Sequence, residues 1–234
     1  MPRIYRFLVL GIRNGFYWAL DYAYVLRVQA AALVHPNPPA SYVQGRHGLP
    51  PLVIIPGVYE SWYLMKPLLD FLVAAGYPLH IVSGLGYNRG SVEEMAAIVA
   101  DYIKQHTLTD CIIIAHSKGG LIGKYLLARN SENGSIRGLV AVNTPFSGSL
   151  YAYLVPLPSI RIFTPHSKIL TSLNANLLVN NKVASIYGRF DPHIPYGSHL
   201  DGARNIQLST YGHFRIMAEK RIHQAVLEEI KKFS

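Results

Sequence analysis

From Leu52 onward, apolar runs of four or five residues alternate with longer stretches in which apolar residues recur every three or four positions. The short runs are Leu52–Ile55, Leu79–Val82, Cys111–Ala115, Leu139–Val142, Val183–Tyr187 and Asn205–Leu208. Apart from His80, Ser185, Asn205 and Gln207 they are apolar or β-branched rather than strictly alternating, which predicts strands covered on both faces. Between them, Leu64, Leu68, Leu72 and Ala75 repeat at helical spacing with Gly76 as a stop. Met95, Ile98, Val99 and Tyr102 follow the i, i+3, i+4, i+7 rule, with Ser91 and Glu94 as a capping box ahead of them. Ile222, Ala225, Val226 and Ile230 mark a last helix that ends on Lys231 and Lys232, the charge its dipole favours. Alternating strands and helices predict an α/β fold, a mainly parallel six-stranded sheet with helices on both faces.

The first 35 residues follow another pattern. They are mostly apolar, but Arg13, Asp21 and Arg27 interrupt them every six to eight residues. A spanning helix needs about 20 apolar residues, and a signal peptide an unbroken core of about 7–15. Neither requirement is met, so secretion is not supported, and the expected location is the cytoplasm or the membrane periphery. At 100° per residue Arg3, Arg6, Arg13, Asn14 and Asp21 share one sector, with Phe7, Leu8, Phe16, Trp18 and Leu26 elsewhere. Residues 1–35 are therefore predicted to form an amphipathic helix, either packed on the main domain or lying on a membrane surface. The prolines of residues 36–51 make that stretch a linker, and 52–234 the main domain.

Composition narrows the function classes. With 234 residues, half of them hydrophobic and 15% charged, the chain has material for one large core. Its 22 Lys and Arg against 13 Asp and Glu form no basic stripe, which argues against nucleic acid and leaves attraction to anionic membranes as the use of the surplus. The single cysteine, Cys111, permits neither an intrachain disulfide nor a cysteine metal site.

The chemistry centres on Ala115-His-Ser117-Lys-Gly-Gly120, placed between a strand and a helix. This is the nucleophile elbow, G-x-S-x-G with alanine first, in which small neighbours let a tight turn expose the serine hydroxyl. A serine needs a base, and the base an orienting acid. His213, in the loop after the last strand, is the candidate base. Asp191 follows the penultimate strand and is the candidate acid, with Asp201 as competitor. Two backbone donors must hold the oxyanion: Lys118 N–H, next to the serine, and Val58 N–H after Pro56-Gly57, with Tyr59 behind it. The Lys118 side chain reads as a surface amine at a helix start, or as a grip on an anionic substrate. No metal or organic cofactor is required.

These motifs resemble the α/β-hydrolases, in particular the small bacterial lipases of the class 2 type. The likeness runs from Leu52 to Ile230 and rests on Ile-Pro-Gly-Val58, the serine motif, Ser-Ile-Tyr-Gly-Arg-Phe-Asp191, and Leu-Asp-Gly-Ala-Arg-Asn205 leading to Tyr-Gly-His213. It implies carboxylester hydrolysis by Ser117, Asp191 and His213, with the Val58 and Lys118 amides as oxyanion donors. The sequence departs from that pattern at Pro56, at Lys118 and in the long apolar segment 144–165, which reads as a small cap or a covered loop. Tyr59, Phe146 and Leu150 are the candidate substrate contacts. The expectation is a serine hydrolase of lipid or acylglycerol-like esters. The alternatives are an acyltransferase or thioesterase with the same triad, or a non-catalytic membrane-associated binding protein on this scaffold.

Overall fold

The computed structural model describes residues 3–129 and 134–234, and only the backbone for residues 3–10 and 12. Six strands form one sheet: β1 (Leu52–Ile55), β2 (Leu79–Ile81), β3 (Cys111–His116), β4 (Ile136–Val142), β5 (Val183–Phe190) and β6 (Arg204–Tyr211). Their order is β2-β1-β3-β4-β5-β6, and every neighbouring pair is parallel. The six predicted runs are these six strands, and β4, β5 and β6 extend beyond their apolar cores. Alternate residues of β1, β3 and β4 feed two cores. Val53, Ile55, Ile113, Ala115, Leu139 and Ala141 pack toward the helices Val92–Gln105 (α3) and Lys118–Arg129 (α4). Leu52, Ile54, Ile112, Ile114, Val140 and Val142 pack toward the helices Lys66–Ala74 (α2) and Lys220–Phe233 (α7). At roughly 25 cal/mol per Å² of apolar surface, this two-sided burial is the main stabilising contribution. Strand β6, at the sheet edge, is mostly half-exposed and sends Ile206 and Leu208 to one core only, so its run is not covered on both faces as predicted. The capping box of Ser91 and Glu94 starts α3 as expected.

The N-terminal helix α1 (Arg3–Val34) packs on the domain, with an orientation the charge pattern did not anticipate. Its inward stripe is Asp21, Tyr24, Val28 and Ala32, at helical spacing. Tyr24 and Val28 rest on Leu64. Phe16, Trp18 and Leu26 point outward, with Leu26 69% exposed. Asp21 lies inward because backbone donors await it there. Of the predicted polar sector, the side chains of Arg3 and Arg6 lie outside the described residues, as do those of Phe7 and Leu8. Among the described residues, no helix is long and apolar enough to cross a membrane. In residues 36–51, Tyr42 is buried and donates its hydroxyl to Asp70, which fixes the connection to α2.

Candidate active site

Parallel strands deliver their carboxyl ends, and the loops that follow them, to one edge of the sheet. Ser117 sits there between β3 and α4 with φ +50°, a left-handed conformation that a non-glycine residue adopts only under constraint. The constraint is local. The Ser117 N–H donates to Val142 O at 2.9 Å, and Gly120 N–H closes the turn on Ser117 O. A Cβ on Gly119 would stand 2.2 Å from the Ile55 carbonyl oxygen, and one on Gly120 2.0 Å from Thr144 Oγ1. Only glycine fits this crossing of helix and strands.

Three of the predicted residues meet at hydrogen-bond distance. Ser117 Oγ lies 3.0 Å from His213 Nε2, and His213 Nδ1 lies 2.7 Å from Asp191 Oδ2. The other oxygen of Asp191 accepts the N–H groups of His193 (2.7 Å) and Ile194 (3.1 Å). All three residues are buried. Burial, with the neighbouring His116 adding to it, pushes His213 below the usual histidine range, so the ring is a neutral acceptor toward the serine. Burial likewise raises Asp191, against the pull of its hydrogen bonds. Asp201, the competing acid, stands apart in an exposed loop, 3.5 Å from His199.

The N–H groups of Val58 and Lys118 have no hydrogen-bond partner among the described residues. Tyr59 N–H is occupied by Tyr87 O at 2.8 Å, so it is no longer a free donor. Its side chain instead lines the cavity and meets Ser159 Oγ at 2.8 Å. The Lys118 side chain is neither a surface amine nor a substrate grip. It is fully buried and donates to the carbonyls of Asn88 (2.8 Å) and Gly90, and its burial lowers it to about 8. Asn88 in turn donates to Pro56 O, so Lys118 braces the loop behind Val58.

Ser117 opens onto a cavity of about 380 Å³. Tyr151, Ala152, Val155, Leu157, Ile160 and Phe163 wall it, all from the apolar segment after β4. A size of roughly 300–1,000 Å³ with apolar walls and few polar groups is typical of small-molecule sites. Phe146 lies in the core beneath, and Leu150 borders a separate cleft, so neither predicted contact lines this cavity. A larger cleft of about 870 Å³, between α1 and residues 187–199, touches Asp191 and His193 but not Ser117.

Two residue types that sequence reasoning passed over matter here. Glu60 and His116 are buried together, with His116 Nδ1 2.8 and 3.0 Å from the two carboxylate oxygens. The only signal for them was a Glu three residues past Gly57, whose N–H it accepts at 2.7 Å, and the histidine inside the serine motif itself. Glu60, His116 and His213, and likewise Asp191, His193 and His213, place potential metal-ligand atoms within 4.8 Å of one another. The His116 and His213 ring nitrogens are already used, toward Glu60, the His213 carbonyl, Asp191 and Ser117. A metal would have to displace those bonds.

The sheet order, the elbow and this edge define the α/β-hydrolase fold. A family model described as "alpha/beta hydrolase fold" matches residues 50–163. Among solved structures, the chain is similar to a mature lipase of Bacillus licheniformis (TM-score 0.61, 14% identity, 83% of this chain and 96% of that one). It is similar also to a structure from Nitrososphaera gargenis described under carboxylesterases (0.60, 12%, 81% and 92%). A third is a monoacylglycerol lipase of Paleococcus ferrophilus (0.55, 14%, 80% and 97%). No curated protein sequence matches the chain.

Proposed function

We propose that the protein is a serine hydrolase of carboxylic esters whose substrates are lipid or acylglycerol-like. The observation that carries this reading is the line Asp191–His213–Ser117, hydrogen-bonded throughout, with two free N–H groups beside it and an apolar cavity in front. Ser117 Oγ attacks the ester carbonyl while His213 Nε2 takes its proton. The oxyanion is held by the N–H groups of Val58 and Lys118, which are fixed before reaction and so need no reorganisation. His213 then gives the proton to the departing alcohol, and Asp191 keeps Nδ1–H oriented through both transfers. Water, activated by the same histidine, releases the acid from the acyl-serine. The resemblance of the motifs to small bacterial lipases and the names of the similar structures support an ester as the substrate. The apolar cavity walls support an acyl chain rather than a polar acid.

A fluorophosphonate tests this directly. Wild type should gain one adduct by intact mass and Ser117→Ala none, and p-nitrophenyl ester hydrolysis should vanish with the same substitution. Full activity in Ser117→Ala overturns the reading. Access from a lipid surface is the second part of the proposal. It is supported by the outward Phe16, Trp18 and Leu26 of α1, by the exposed Tyr151, Leu154 and Leu157 near the cavity, and by the cationic surplus. Co-sedimentation with anionic vesicles should fall in a Phe16→Ser, Leu26→Ser double variant, and unchanged binding counts against this part.

A further inference from the structure

The peptide of His213 is held from both sides by buried charged groups. On its amino side, Asp21 of α1 accepts three consecutive backbone donors: His213 N–H on Oδ2 at 2.9 Å, and Phe214 N–H (2.9 Å) and Arg215 N–H (2.8 Å) on Oδ1. Asp21 is fully buried, and His213 stands 192 positions further along the chain. On the carboxyl side, His116 Nε2 lies 2.9 Å from the His213 carbonyl oxygen. A carbonyl only accepts, so that nitrogen carries a proton. Nδ1 faces the Glu60 carboxylate, which also accepts Gly57 N–H, so the second nitrogen is a donor as well. His116 is thus an imidazolium. Its burial opposes the charge, and the Glu60 carboxylate with the hydrogen bonds to Glu60 and His213 outweighs that, leaving the group raised.

The same elements reach the other loops of the site. Tyr22, next to Asp21, has its hydroxyl 2.8 Å from His193 Nε2 in the acid loop, and Gln29 donates to Tyr59 O at 2.7 Å in the loop of Val58. A helix that merely covered the domain would not meet the acid, base and oxyanion loops through polar bonds at each one.

We propose, building on the serine-hydrolase reading, that Asp21 and the Glu60–His116 pair are positioning residues for the His213 base. They grip its peptide between a carboxylate and an imidazolium, which makes α1 part of the active site. Neither touches the reacting atoms. Each acts by fixing where Nε2 points, and a small misplacement there costs rate without weakening substrate binding.

The test uses the full chain as wild type, Asp21→Asn and His116→Asn. The readouts are kcat and KM for p-nitrophenyl butyrate and the rate of fluorophosphonate labelling from about pH 2.5 to 9, a range that spans the lowered His213 at about 3. Asn at 21 keeps the shape but only one accepting oxygen. Both variants should lose about 10–100-fold in kcat with KM nearly unchanged. The acid limb separates the two. Facing the His213 ring or peptide are Asp191, His193, His116 with Glu60 behind it, and Asp21. Removing the cation at 116 should move the limb upward, whereas removing the anion at 21 should move it downward. A wild type that hydrolyses ester, with both variants within about twofold of it and no movement of the limb, overturns the clamp. Wild type without any labelling sinks the hydrolase reading instead. Should a variant fail to fold, nitrogen-15 NMR of the wild-type histidine rings decides: His116 protonated on both nitrogens at pH 7.5 supports the clamp, and a neutral His116 overturns it.

Discussion

Two regions face each other across Ser117, and they are held by different forces. The floor is polar and closed. Asp191, His213, His116, Glu60, Asp21, Asn143 and Lys118 are all buried, and nearly every charge on them meets a named partner. The roof, residues 149–163, is apolar. It has two short helical turns, Leu150–Tyr153 and Pro158–Arg161, and leaves Leu150, Tyr151 and Leu154 partly in solvent. Hydrogen bonds between buried charges are directional and costly to leave unmade, so the floor has one arrangement. Apolar contact is non-directional, so the roof sets volume more than it sets orientation. The proposed function places the chemistry on the polar half and substrate choice on the apolar one.

If that division is right, substitutions in the floor change rate by orders of magnitude. Asp191→Asn leaves the shape intact but takes the wrong hydrogen-bonding role toward Nδ1. A loss near 10⁴-fold in kcat is expected, as in triads generally, and steady-state kinetics on a chromogenic ester reads it. A change below tenfold would mean that another group, not Asp191, orients the imidazole. Gly119→Ala tests the elbow itself. Its Cβ would meet backbone, the Ile55 carbonyl oxygen, which cannot swing aside as a flexible side chain does. Melting should show a destabilisation of roughly 1–3 kcal/mol or more, the scale of overpacking in a tight core.

The pH dependence follows from two histidines whose rings lie 4.9 Å apart and are shifted in opposite directions. His213 is lowered in the folded protein, so its contribution to stability is present above its unfolded value of about 6.5 and is lost as pH falls. His116 is raised, so its contribution is present below about 6.5 and is lost as pH rises through the folded value. The proposed mechanism and clamp need His213 neutral and His116 charged. The rate should therefore hold a plateau on both sides of about 6.5 instead of turning there, as kcat/KM against pH will show. A single break at the ordinary histidine value would mean that neither environment acts as described.

The same division explains what the sequence disclosed. Central strands covered on both faces leave continuous apolar runs, and the elbow needs small residues beside its serine. The sheet and the meeting of Ser117, Asp191 and His213 at its edge were therefore legible from local pattern, while the half-exposed β6 was marked only by its place in the alternation. Asp21 was not. As one anion in an apolar helix it read as part of a solvent face, because its three partners are backbone N–H groups almost 200 positions away. Backbone donors leave no trace in side-chain identity. Lys118 misled for a related reason: its partners are the carbonyls of Asn88 and Gly90, so a buried lysine looked like a surface one. Phe146 and Leu150 were legible as apolar, but not as core and outer edge, since a loop without periodicity gives no inward face.

The smallest predicted effect belongs to the roof. Ala152 is buried against the cavity and carries the least side chain of its walls. Ala152→Val adds two methyl groups there while Ser117, His213 and Asp191 keep their bonds. A methylene in an apolar pocket is worth about 1–3 kcal/mol of discrimination, so the ratio of kcat/KM for long over short p-nitrophenyl esters should fall about tenfold or more. The acetate ester should change little, since it does not reach the wall, and its pH profile should match that of wild type. Equal loss on all chain lengths would mean that Ala152 supports the floor after all. The independence of the two regions would then fail at the point where they touch.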